Sequence, residues 1–239
     1  MLANFSESSL QIGTLAKDLH VPNSFLSGLI ACIANELPRW RDRLDRKAET
    51  SETVLSAQLC AHLNSITRHA PGWDILQFRT EEPDENYKGR KIDLIPAPSG
   101  INLWVDGRRY SDFDPLLPIE CKRLPTPAGK DRDEREYVFS KFSSTGGIQR
   151  FKAGHHGSKH TQGAMIAYIQ EDTCSDWQSR VSGWISGLAT AAESGWASSD
   201  QLKPRSTDVE RRIAVLESTH KRLQSLPDIS LYHLWVQMS

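Results

Sequence analysis

Cysteine is scarce and scattered: Cys32, Cys60, Cys121 and Cys174 are the only four in 239 residues, and no C-x-x-C pair occurs. That argues against a zinc ribbon or a disulfide framework and fits a reducing compartment. No apolar run is long enough to span a bilayer. The start, Met1 to Ser9, is polar and acidic rather than basic and then apolar, so no secretory signal is visible. A soluble, cytoplasmic protein is the expectation. Neither G-x-G-x-x-G nor G-x-x-x-x-G-K-[ST] is present, which removes the dinucleotide-binding and P-loop readings. Internal repeats and low-complexity tracts are also missing. The formal net charge is −1, so the chain as a whole has no basic excess for coating nucleic acid.

What is present is ordinary in amount and uneven in distribution. A quarter of the residues are charged and 38% are apolar, a globular balance, and the length supports a core without disulfide or metal staples. From Tyr137 to Gln170 there is no Asp or Glu, while Lys141, Arg150, Lys152, Lys159, His155, His156 and His160 all fall inside. Such a window reads either as a phosphate-facing surface or as a solvated face.

Hydrophobic periodicity outlines the elements. Phe25, Leu26, Leu29, Ile30, Ile33 and Leu37 recur at helical spacing, within a helical region reaching about Lys47 that Pro38 ends or interrupts. A second helix starts at Thr50 or Ser51, with Leu55, Leu59, Leu63 and Ile66 on its apolar face. Trp73 to Arg79 alternates as a strand, as does Lys91 to Ala97, where Asp93 and Ile95 oppose Ile92 and Leu94. Ile101 to Val105 extends the sheet into an Asp106-Gly107 turn. Leu116 to Leu124 is a strand ended by Pro125, followed by a charged loop over residues 126–136. Gly146-Gly147 breaks or starts a helix, and Ala164 to Ile169 is a buried strand. Trp177, Val181, Trp184, Ile185 and Leu188 mark one later helix, and Ile213, Leu216, His220 and Leu223 another. Ile229 to Val236 closes the chain as a strand. The expected fold class is α/β, a mixed central sheet flanked by helices.

The chemistry concentrates where Glu120 and Lys122 share one face of a strand and Asp93 lies on the strand upstream. Two carboxylates suffice for magnesium, which takes oxygen ligands and keeps several waters. Such a cation lowers the pKa of a bound water and neutralises charge on a phosphoryl transition state. A neighbouring ammonium adds a compact positive charge. Asp106 and Asp114 are weaker rivals for the strand carboxylate, because the first sits in a glycine turn and the second lies too close to Glu120 in sequence. His156 and His160 are spaced for a transition-metal pair on a helix, although Gly154 and Gly157 favour a loop that contacts phosphate or solvent. No intervening Glu makes this an H-E-x-x-H site.

Lys91-Ile92-Asp93-Leu94-Ile95 followed by Pro118-Ile119-Glu120-Cys121-Lys122 resembles the PD-(D/E)XK, restriction-endonuclease-like nuclease superfamily. The resemblance covers residues 50–170, with 1–47 as a helical N-terminal extension and 171–239 as C-terminal helices and a strand, all within one domain. It implies a restriction-endonuclease-like core and a magnesium-dependent deoxyribonuclease, with manganese as a substitute cation. Its implied metal ligands are Asp93, Glu120, Glu52 (Glu49 as fallback) and the Cys121 carbonyl, and Lys122 serves the water or phosphate. Gln149, in Gly147-Ile148-Gln149-Arg150-Phe151, holds the place of a supporting residue on the following helix. The implied partners are DNA and a targeting or motor subunit, with homo-oligomerisation compatible and no membrane. The implied setting is bacterial defence against phage or foreign DNA. Two other readings remain open: an inactive nuclease-fold subunit for nucleic-acid binding or assembly, and a histidine-based metallohydrolase using zinc or manganese at residues 155–160.

Overall fold

The computed structural model describes residues 18–22, 24–84, 89–142, 146–191, 193–222 and 225–239. Its centre is a seven-stranded mixed sheet, ordered β2 (Leu76–Pro83), β3 (Lys91–Pro98), β6 (Ile119–Leu124), β7 (Gln162–Ile169), β10 (Ile229–Gln237), β9 (Ile213–His220) and β8 (Lys203–Asp208). The middle three strands, β6, β7 and β10, run parallel, and the outer pairings are antiparallel. Helices α1 (Phe25–Arg41) and α2 (Glu52–Thr67) cover one face, and α3 (Gly147–Lys152) and α4 (Cys174–Thr190) the other. The expected α/β class is therefore what the chain adopts. Among the described residues no helix is long and apolar enough to cross a membrane.

Alternation along the central strands explains the two layers. Ile119 and Cys121 of β6 and Ala164, Ile166 and Tyr168 of β7 pack toward Leu29, Ile33, Leu55, Leu59 and Leu63. Leu124, Met165, Ala167 and Ile169 point the other way, toward Phe151, Trp177, Val181 and Ile185. A central parallel strand is buried on both faces, so β7 reads as a nearly continuous apolar run.

Four local expectations need correction. Pro38 does not end α1, which continues through it to Arg41, where basic Arg39 and Arg41 suit the negative end of the helix dipole. The second strand begins at Leu76 rather than Trp73. Residues 102–105 do not extend the central sheet: β4 (Asn102–Val105) joins β1 (Asp18–His20) and β5 (Arg108–Tyr110) in a separate three-stranded sheet. Ile213, Leu216 and His220 lie on a strand, not a helix; Leu223 lies outside the described residues. There Ala214, Leu216, Ser218 and His220 are buried at a period of two, with Ile213 buried beside them at the strand's start. A small residue and two polar ones at inward sites hid that period. Among its described residues the C-terminal segment thus has one α-helix and continues the central sheet with three strands, where helices and one strand were expected.

Candidate active site

Strands β3 and β6 meet through one register pair, Leu94 with Ile119, and then part. Beyond it, the β6 edge facing β3 has backbone groups with no ladder partner, and such groups need another acceptor when buried. Two carboxylates supply it. Asp93 Oδ2 accepts the Cys121 N–H at 2.8 Å, and Glu52 Oε2, from the first turn of α2, accepts the Arg123 N–H at 3.0 Å. The N–H and C=O of one strand residue project to the same edge, so the Cys121 carbonyl faces this gap as well. Its thiol points to the other face, where Tyr168 donates to Sγ at 3.6 Å.

Glu120 and Lys122 share the α3-facing side of β6, as expected. Lys122 Nζ lies 2.9 Å from Glu120 Oε1 and 3.2 Å from Glu52 Oε1. Two further cations, from outside the motif, close on Glu120. Arg150 of α3 donates to Oε1 at 2.5 Å, and His156 Nε2 is 3.1 Å from Oε2. Asp84 Oδ2, at the end of the β2 strand, holds the other ring nitrogen of His156 at 3.0 Å. Glu120 is fully buried, Lys122 is 10% exposed, and Arg150 is 19% exposed.

The glycines make this placement feasible. A Cβ on Gly147 would overlap Met165 Cε and the Tyr137 carbonyl, so only glycine lets α3 lie so close to residues 137–139. The first N–H groups of α3 then donate to the carbonyls of Glu136, Tyr137 and Val138, satisfying the orphan donors of a helix start. After α3, Gly154 takes a positive φ of 69°, turning the chain so that His156 folds back beneath Arg150.

Burial alone would raise the pKa of Glu120; the charge of Lys122, then His156 and Arg150, outweigh it and hold the carboxyl well below the usual range. Burial would likewise strip Lys122 of its proton, but Glu120, Glu52 and Asp93 keep it an ammonium. Desolvation would lower His156, yet its bonds to Asp84 and Glu120 lift it to about 9. Asp93 goes the opposite way. Burial, reinforced by the neighbouring charge on Glu120, pushes it up to about 7 against the pull of Lys122. The cluster therefore surrounds Glu120 with positive charge, although its Oε2 makes no hydrogen bond, and leaves Asp93 titrating near neutrality.

Of the expected site residues, Glu52, Asp93, Glu120, Lys122 and Cys121 are brought together. Gln149 turns away: its oxygen accepts from the Ser140 and Gly146 amides, and Arg150 is the residue that α3 delivers to Glu120. The acid-free window is not one phosphate-facing surface. Lys152 is buried against Asp200, with both carboxylate oxygens at 2.9 Å, and His156 and His160 are buried too. His160 donates from Nε2 to the Pro115 carbonyl at 2.8 Å, so the two histidines serve different neighbours. Asp84 and His156 had no local signal for their role, because an ion pair across 72 residues leaves no spacing to read.

Lys152 opens a second buried polar chain on the same side of the sheet. Asp200 accepts from His220 Nδ1 at 2.7 Å, and Ser218 Oγ lies 2.6 Å from His220 Nε2 and 2.7 Å from His233 Nε2. Tyr137 OH is 2.7 Å from His233 Nδ1 and 2.8 Å from the indole N–H of Trp235. Only one proton arrangement satisfies every contact with neutral rings. Trp235 donates to Tyr137, Tyr137 to His233, His233 to Ser218, Ser218 to His220, and His220 to Asp200. Desolvation keeps both imidazoles below their ordinary pKa, in accord with that neutrality. Although Asp200, His220 and Ser218 connect in the order of a hydrolase triad, Ser218 is buried and its oxygen is taken on both sides.

Among the described residues no group of three or more His, Cys, Asp or Glu side chains is arranged as a metal cage. Magnesium needs only one or two carboxylates, however, and the parted edge of β6 carries oxygen donors alone: Asp93, Glu52 and the Cys121 carbonyl. The elevated Asp93 fits a hard cation, whose charge would take the place of its proton. No family model, curated protein or solved structure matches this chain.

Proposed function

We propose that this chain is a divalent-metal-dependent nuclease of the PD-(D/E)XK kind, acting on DNA phosphodiesters. The observation that carries the reading is the parting of β3 from β6, with Asp93 and Glu52 at the opened edge and Glu120 and Lys122 beside it. Asp93, Glu52 and the Cys121 carbonyl would hold the cation, and Glu120 would join them when released from a cationic partner. Bound there, the cation supplies charge neutralisation at a phosphate and acidifies a water. Lys122 is locked as an ammonium, so it acts as a positive charge that orients or stabilises, not as a base. Asp93 would release its proton to solvent if a cation were held there, since a ligating carboxylate is deprotonated. Bacterial defence, with sequence choice borrowed from a targeting or motor subunit, belongs to the same proposal and rests on the resemblance.

One observation favours a second reading, a nuclease fold kept only for binding or assembly: Glu120 is fully buried and matched by three cations, as a structural ion-pair core would be. Incubating the purified chain with DNA under magnesium, manganese and chelator separates the two. Cation-dependent cutting supports the nuclease; DNA binding without cutting or cation uptake supports the second reading.

A further inference from the structure

Glu120 is the most strongly neutralised carboxylate of the cluster, yet its three partners are not equivalent. Lys122 is anchored by Glu52 as well as Glu120, and His156 is fully buried and anchored by Asp84. Among the described residues Arg150 has no second carboxylate partner. It lies 3.3 Å from His156 Nε2, beside another cation, and it is the most exposed of the three. It is therefore the partner that can leave Glu120 at least cost, and the one that a solvent-borne anion can reach.

Resting on the nuclease reading, we infer that Arg150 is a latch coupling phosphate to metal: it blocks Glu120 in the free protein and is drawn off by a phosphodiester. A guanidinium matches phosphate in a bidentate fork as well as it matches a carboxylate. Once Arg150 engages the phosphate, Glu120 Oε1 loses its shortest contact and becomes available to the cation. Phosphate and cation then favour each other's binding, and linkage requires the factor to be the same in both directions. A divalent cation alone binds weakly under this arrangement, because it must compete with a guanidinium 2.5 Å away.

Calcium is the probe, since it permits binding to be read apart from turnover. Calorimetric titration of calcium into the free chain, and into the chain saturated with a short DNA duplex, gives the coupling after subtraction of a duplex-only control. For the wild type, calcium affinity rises when the duplex is present. For Arg150→Gln, affinity without DNA rises at least about tenfold, the lower end for losing a charge-assisted hydrogen bond, and the duplex no longer improves it. Arg150→Lys, which keeps the charge, retains weak binding without DNA, and circular dichroism verifies that both variants are folded. Equal calcium affinity in the wild type and Arg150→Gln, or coupling that survives the substitution, overturns the latch while leaving the nuclease reading standing. If no variant binds calcium with or without duplex, the metal site itself is wrong and the latch goes with it.

Discussion

Helix α3 feeds two buried polar centres from residues two apart: Arg150 enters the carboxylate cluster, and Lys152 enters the chain that runs through Asp200 to Trp235. The second centre is closed. From Lys152 to Trp235 each donor finds an acceptor, charge is confined to the Lys152–Asp200 pair, and the histidines stay neutral. The first centre is crowded with charge and unevenly matched. It overserves Glu120, leaves Asp93 titrating near neutrality, and reaches solvent through Arg150 and through Glu52, which is 28% exposed. A fully satisfied network rigidifies a core and specifies its packing. A set of perturbed carboxyls beside an opened strand edge is where a candidate functional site is sought.

The comparison breaks most visibly at Glu120. Glu120→Ala leaves Lys122, Arg150 and His156 facing one another inside the protein, and removing one side of a buried ion pair costs about 3–5 kcal/mol. Denaturant unfolding should show a midpoint lowered accordingly, so lost activity in this variant does not report on catalysis alone. If its midpoint matches the wild type, the cations have other partners and the account of the cluster fails.

Asp93→Asn is the cleaner substitution, because the amide resembles the protonated carboxyl that burial favours over the usual carboxylate. Cation-dependent cleavage should fall by at least about a hundredfold, as for loss of a transition-state stabiliser. Stability should respond in the opposite sense. The folded pKa of about 7 lies above the ordinary carboxyl value of 3.8, so protonated Asp93 contributes its full stability below about pH 4. That contribution is lost as pH rises toward 7, and the Asn variant should not show the decline. Parallel pH–stability curves for the two proteins would remove Asp93 as the perturbed group.

Ser218→Ala tests the closed centre and should have the smallest effect. It deprives His220 Nε2 of a donor and His233 Nε2 of an acceptor, for a cost of about 1–3 kcal/mol. Thermal unfolding reads that loss, while cleavage at a temperature where the variant is folded should be unchanged. A large fall in activity with stability intact would mean that Ser218 belongs to the chemistry.

Much of the cluster was legible because it rests on local rules. Period two places Glu120 beside Lys122, and the first turn of a helix favours an acid such as Glu52. Gln149 was misread because helix position alone does not say whether a side chain faces the sheet or caps its own N-terminus. The acid-free window was misread because lack of acid nearby in sequence says nothing of acid nearby in space: Asp200 meets Lys152 from 48 residues away. Strand β9 escaped because Ser218 and His220 are polar yet point inward, toward partners on β10 and beyond.

The sequence by itself determined the mixed α/β class, the apolar faces of α1, α2 and α4, the strands carrying Asp93 and Glu120, and the shared face of Glu120 and Lys122. These follow from backbone periodicity, which depends only on neighbours a few residues apart. Only the tertiary structure decided that β3 and β6 part beside Asp93, beyond the Leu94–Ile119 pair, that Arg150 and His156 converge on Glu120, and that Lys152 turns to Asp200. Those outcomes depend on which distant elements become neighbours. Burial then sets their charges, since a carboxyl or an ammonium keeps its ordinary pKa until desolvation, a neighbouring charge or a hydrogen bond shifts it.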